Sequence, residues 1–339
     1  MVCEFITGGG FSDAALTTSL AKEGAVMRDA LLRDLSELNQ YMLITLHDAR
    51  LPPSTYAYKS LGVAPGEFKK VFKRALKQAD LVWLIAPETD GQLLALTQLC
   101  LAAEAKENGP ILLGCGYDAT LVGTSKSLTF EALQAANINT LPVYAGEDLM
   151  QDDYFSALQQ LDIKQWLAKP EDGAGCAGIQ LFDCLSDLRA WLKVENRHLD
   201  YFAQAFQAGI SASFSMICRD GAGWLLSCNQ QHIECHNQQF KLTGINVNGL
   251  PAYRPRFETL ARKIAKMLPD AVGYVGVDVI IDVEHGKIFV VDINPRLTSS
   301  YAGLRASIGH NPAQLILACI FEPHFTLPPL QKNMVALVL

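Results

Sequence analysis

Apolar positions along this chain fall into two rhythms. Over residues 1–119, short aliphatic runs at 2–6, 41–46, 81–86 and 111–114 alternate with longer stretches of helical spacing. Within 16–38, for example, Met27, Leu31, Leu32, Leu35 and Leu38 recur on one helical face. Helices at 66–78 and 93–105 complete the series. Continuous apolar strands separated by helices predict a parallel sheet covered on both faces. Ligands of such sheets sit beyond the carboxyl ends of the strands. Those ends carry Gly8 to Gly10, His47, Asp48, Arg50, Glu88 and Asp90. The glycine run suits a tight turn as well as an anion-holding loop.

The rhythm changes after residue 119. A second unit, 120–206, predicts a helix at 125–136, a helix at 152–161, strands at 165–169 and 179–182, a helix at 186–194 and a strand at 201–206. A third unit, 207–339, reads as mostly antiparallel β: strands at 213–218, 224–233 and 240–247, a helix at 256–268, and a final hairpin. The fold class is α/β for the first unit and α+β for the other two.

That hairpin carries the most chemistry. Two β-branched runs, 273–282 and 288–294, flank a turn ending in Gly286. If Glu284 to Gly286 is the loop, Val283 pairs with Lys287, and counting back sets Asp278 opposite Asp292. Asn294, two residues on, shares the face of Asp292. Facing carboxylates repel unless a cation lies between them, and Asp and Asn oxygens suit magnesium, or manganese. The plainer alternative is a pair of solvated strand ends. Arg296 follows closely enough to grip a carboxylate or a phosphoryl group, or simply to pair with Asp292. Arg305 is a weaker candidate.

Two lysines sit where anions are held. Lys169 closes an apolar strand and enters a loop containing Gly173, Gly175 and Gly178. Glycines let backbone amides approach phosphate, and the lysine supplies a point charge. No G-K-[ST] follows, so this is not a Walker loop; a solvated lysine at an exposed turn is the alternative. Lys126 opens a helix that Ser125 or Thr124 can cap. Gln204 to Phe206 end a short strand whose backbone groups suit an adenine edge, with Phe206 otherwise core.

Composition narrows the classes. With 339 residues, 50% hydrophobic and 19% charged, the chain has length for two or three folded domains. A net charge of −7 argues against nucleic acid as a partner. No apolar run reaches the length of a membrane span, and the N-terminus lacks a signal-peptide pattern. The nine cysteines are odd in number and scattered, which predicts reduced thiols and a cytoplasmic setting. Cys235 and His236 beside His232 are read as strand residues, not as a metal site.

The series Lys126, then Ala168-Lys169-Pro170 with its glycine loop, then Gln204 to Phe206, Asp278, Asp292 and Asn294 resembles the ATP-grasp family over the whole chain. The resemblance implies an N-terminal pre-ATP-grasp domain at 1–119, a small ATP-grasp subdomain at 120–206 and a C-terminal subdomain at 207–339. It further implies that both lysines hold ATP phosphates, that Asp278, Asp292 and Asn294 hold Mg2+, and that Arg296 stabilises the transferred phosphoryl group. Two departures stand out: the family's metal motif usually begins with Glu where this chain has Asp292, and residues 209–213 offer hydroxyls in place of an acid for ribose. More narrowly, Val2 to Gly10, Glu23 to Arg28, Ala86 to Asp90 and Asn294 to Leu304 resemble the tyramine–glutamate ligases of methanofuran biosynthesis and related ATP-grasp proteins of methylotrophs. That likeness implies a carboxylate–amine ligase for glutamate and tyramine or tyrosine in one-carbon carrier synthesis, with the oligomeric state left open. A ligase for another amino acid pair, a small-molecule kinase and a non-catalytic ATP-binding regulator are the alternatives.

Overall fold

The structure, a computed structural model, describes residues 1–171, 173 and 176–339. The N-terminal unit runs β1 (Val2–Glu4), α1 (Thr18–Ser36), β2 (Ile44–Asp48), β3 (Lys59–Val63), α2 (Phe68–Leu76), β4 (Leu81–Ile85), α3 (Gln92–Glu104) and β5 (Ile111–Leu112). Its five strands are all parallel in the order β3-β2-β1-β4-β5. The hydrophobic pattern gives no sign of β3, because Lys59–Val63 lies at the sheet edge with little apolar surface to bury. It also ran β1 two residues too far. The Glu4 carboxylate accepts bonds from the Ile6 and Thr7 amides, at 3.0 and 2.6 Å, and turns the chain into a tight coil over Ile6–Gly10. Gly9 there has φ +92°, and its missing Cβ would lie 2.7 Å from Val63, so packing alone requires glycine.

The middle of the chain forms α4 (Tyr117–Thr124), α5 (Lys126–Ala135), β6 (Val143–Ala145), α6 (Asp152–Gln159), β7 (Trp166–Pro170), β8 (Gln180–Phe182), α7 (Leu185–Lys193) and β9 (Tyr201–Ala205). Antiparallel strands in the order β8-β7-β9-β6 make a small sheet. Trp166, Ala168 and Ala203 bury one of its faces against Phe155, Leu158, Leu188 and Leu192 of α6 and α7. α4 and α5 do not join this core. Ala119, Leu133 and Ile138 pack instead with Val277, Val290 and Ile293 of the C-terminal sheet, and the Val290 amide donates to the Asn139 carbonyl at 2.9 Å.

The remainder comprises β10 (Ile210–Arg219), β11 (Ala222–His236), β12 (Gln239–Val247), α8 (Arg254–Met267), β13 (Gly273–Asp282), β14 (Lys287–Asn294), α9 (Tyr301–Ile308), α10 (Pro312–Phe321) and β15 (Val335–Val338). The order β14-β13-β10-β11-β12 is antiparallel, with β15 also on β12. The tip of the β11–β12 hairpin reaches the small sheet, where Gln239 pairs with Gln180 and the Leu181 amide donates to the Gln238 carbonyl. Met27, Leu31 and Leu35 of α1 share a core with Tyr301, Leu304, Ile308 and Ile316 of α9 and α10. This packing sets the carboxyl ends of the N-terminal sheet against the end of β14. Among the described residues, no helix is long and apolar enough to cross a membrane.

The hairpin register is partly corrected. Lys287 pairs with Asp282, not with Val283, so the turn holds four residues. A bulge after Asp278 then absorbs one residue of β14, Val291, and restores Asp278 opposite Asp292. The compensating shift sits inside the strand and not at Gly286.

Candidate active site

Strand periodicity decides which side chains meet. On β7 and β9, Leu167 pairs with Gln204 and Lys169 with Phe202. Directly paired residues share a face, so Lys169 and Gln204 project opposite to the helix-covered core formed by Trp166, Ala168 and Ala203. Across from that face stand Asp278 and Asp292, near enough that both raise the proton affinity of Lys169. Burial, with Lys126 adding to it, outweighs this help and pulls the Lys169 ammonium down to about 8. Lys169 has no carboxylate within 4 Å among the described residues, a costly state for a buried cation unless an anion joins it.

The carboxylate side shows the opposite imbalance. Asp278 accepts bonds from Gln231 Nε2 at 2.8 Å and Asn294 Nδ2 at 3.0 Å. Even so, burial and then the facing charge of Asp292 push its carboxyl up to about 6. Hard oxygen donors confronting each other with their charge uncompensated fit a divalent cation such as Mg2+, which Asp278, Asp292 and Asn294 would hold.

Lys126 begins α5, capped by Ser125, whose hydroxyl accepts from the Leu128 amide at 3.1 Å. Its Nζ donates to the Gly173 carbonyl at 3.1 Å, so the first lysine lies against the loop of the second. Gly175 lies outside the described residues. The buried Gln204 side chain donates to the Leu141 carbonyl, while its Oε1 is fully buried with no hydrogen-bond partner among the described residues. An unsatisfied acceptor costs about 1–3 kcal/mol and suits a ligand donor such as an exocyclic amine. The main chain of Gln204 is flanked by β6 and β7, and the Phe206 amide already donates to the Gln165 carbonyl. Phe206 stacks on Phe240 at 6.2 Å between ring centres.

Arg296 pairs with neither Asp292 nor an open space. Its Nε and Nη2 grip Glu88 at 2.9 and 2.7 Å in a fork-to-fork pair, and Nη1 donates to the Leu297 carbonyl. The pair is buried and joins the loop after β4 to the end of β14. Nearby, Ser299 donates to Glu23 of α1 at 2.9 Å. Arg305 turns away and pairs with Asp34 and Glu37.

Both lysines and the hairpin's Asp278, Asp292 and Asn294 are candidates already from their spacing, whereas the partners that support them are not. Glu88 carried a signal, its place at a strand's carboxyl end. Gln231 carried none, since only the β11 register brings it to Asp278.

Comparison with known proteins follows this geometry. Residues 124–300 match the model of an ATP-grasp domain, and residues 41–120 match a pre-ATP-grasp domain. The chain is 25% identical over 310 residues to tyramine–L-glutamate ligase of Methanocaldococcus jannaschii, covering 90% of this chain and 84% of that one. A solved ATP-grasp superfamily protein from Archaeoglobus fulgidus superposes with a TM-score of 0.69 at 20% identity, covering 99% of this chain and 98% of its own. The biotin carboxylase domain of Hydrogenobacter thermophilus 2-oxoglutarate carboxylase, solved with MgADP and bicarbonate, gives 0.69 at 15% identity over 89% of this chain and 69% of its own. One domain model spans more than half the chain and a second matches residues 41–120 before it: the chain belongs to the ATP-grasp family, with the domain architecture of a ligase.

Proposed function

We propose that the chain is an ATP-dependent carboxylate–amine ligase joining glutamate to tyramine or tyrosine. The observation that carries the chemistry is Lys169, with no carboxylate within 4 Å among the described residues, standing across from the Asp278–Asp292 pair. A polyphosphate with its cation would balance both sides at once. In this reading Lys126 and Lys169 hold nucleotide phosphates and Gln204 Oε1 receives the adenine amine. Asp278, Asp292 and Asn294 would hold Mg2+, which when bound would supply positive charge to offset that of the phosphates.

The substrate carboxylate attacks the γ-phosphorus, the bond to ADP breaks, and an acyl phosphate results. The amine then attacks the acyl carbon, phosphate leaves, and the amine's proton passes to phosphate or solvent. The protein's contribution is positioning and charge stabilisation. Arg296, fixed by Glu88 at the end of β14, faces the transferred group. The carboxyl ends of β1, β2 and β4 would receive the acid and amine. The choice of substrates rests on likeness to the tyramine–glutamate ligases, and a one-carbon carrier pathway would be its setting.

The test is ADP release with ATP, Mg2+ and glutamate, with and without tyramine or tyrosine, plus the product's mass. Amine-dependent ADP and a conjugate lighter than its parts by one water support the pair. ADP release only with other acids or amines would keep the ligase and replace the substrates. A stable phosphorylated product without amine dependence would make the chain a kinase.

A further inference from the structure

Glu171 holds several hydrogen bonds beside the two lysines. It follows Lys169 by two positions, just past the end of β7 at Pro170. Its carboxylate accepts from Ser125 Oγ at 2.6 Å, Ser127 Oγ at 2.9 Å and the Ser127 amide at 3.2 Å. Its carbonyl accepts from the Lys126 amide at 3.4 Å, and its own amide donates to the Asp200 carbonyl at 2.9 Å. Five bonds thus tie one residue to both sides of a boundary. Glu171 and Asp200 belong with the small sheet; residues 125–127 open α5, which packs on the C-terminal sheet.

We propose that Glu171 is a positioning residue for the nucleotide, a strut that fixes β7 against the start of α5 and thereby sets the spacing of Lys169 and Lys126. The chemistry fits that task. The two ammonium groups repel, and no carboxylate lies within 4 Å of either among the described residues. Without an anion present, the lysines would spread apart. A carboxylate bound to hydroxyls and an amide at a helix N-terminus makes charge-assisted bonds that resist this. Glu171 touches neither lysine's ammonium, so it acts through the backbone of Lys126 and the strand of Lys169. This assignment rests on the lysines holding phosphates; it does not depend on which acid or amine is used.

The experiment is MgADP binding by calorimetry, with no turnover needed, on the full chain and on Glu171→Ala, Glu171→Gln and Ser127→Ala, each with its melting temperature. Lys169→Ala is the control for the phosphate assignment. A 10- to 100-fold weaker affinity for Glu171→Ala is expected, about the worth of one lysine's bond to a charged phosphate. Glu171→Gln should lie between Glu171→Ala and the parent, because an amide oxygen still accepts from the serines, and Ser127→Ala should weaken binding less. Parent-like affinity in Glu171→Ala, with binding lost in Lys169→Ala, overturns the strut and leaves the ligase reading intact. Unchanged binding in Lys169→Ala overturns both. If Glu171→Ala does not fold, Ser127→Ala and Glu171→Gln decide: parent-like affinity in both overturns the proposal.

Discussion

Replacing Glu88 with Ala tests whether the N-terminal unit and β14 are locked through one ion pair. Glu88 and Arg296 retain 4 and 9% side-chain exposure, and their two bonds measure 2.7 and 2.9 Å. Removing one partner of such a pair strands a buried charge, which costs about 3–5 kcal/mol. Arg296 would keep the Leu297 carbonyl and the attraction of Glu23 and Asp292, which points to the lower end, about 3 kcal/mol. At roughly 2.1 cal/mol/K per residue of unfolding entropy, a chain of this length would lose about 4 °C in melting temperature. The double variant Glu88→Met with Arg296→Met removes both charges and should return to within about 1 kcal/mol of the parent. Urea denaturation of the parent, Glu88→Met, Arg296→Met and the double variant supplies the cycle. If Glu88→Ala melts within 1 °C of the parent, or the two single losses simply add in the double variant, the locking argument is wrong.

Three further outcomes are expected. In EDTA, Asp278 holds a proton in the folded chain that the unfolded chain has lost between pH 4 and 6. Stability therefore falls as pH rises through that window, by at most about 3 kcal/mol for a pKa raised from 3.8 to about 6. Asp278→Asn should flatten that slope and raise apo stability at pH 7; a variant less stable than the parent at pH 7 counts against the reading. The Lys169 ammonium, pulled down to about 8, should be largely neutral at pH 9. MgADP affinity should then drop roughly tenfold from pH 7 to 9, and Lys169→Met should remove that dependence; an equal drop in both proteins would place the titrating group elsewhere. Gly24→Ala puts a Cβ 2.5 Å from Glu4 Oε2, a clash between α1 and the turn after β1. A loss of about 1–3 kcal/mol is expected in thermal melts, and an unchanged melting temperature would show that α1 shifts freely.

Candidate groups of the site were more legible along the chain than the frame that holds them. Periodicity located the N-terminal parallel sheet, because buried parallel strands are continuous apolar runs that stand out between helices. The facing of Asp278 and Asp292 was legible because a hairpin pairs residues by counting from its turn. The count reached the right pair only because a bulge in β14 cancelled a one-residue error in the turn, and nothing local announces such a bulge. Edge strand β3 and the allegiance of α5 to the C-terminal sheet were not legible, since each depends on what a distant segment buries. The same holds for the partners that tune the site. Glu88 meets Arg296 across 208 positions, Gln231 meets Asp278 across 47, and Glu171 meets Ser125 across 46. Local spacing names groups able to bind phosphate or metal. Which carboxylate neutralises which cation is settled by long-range packing, because only there are the competing charges brought within a few ångströms and out of water.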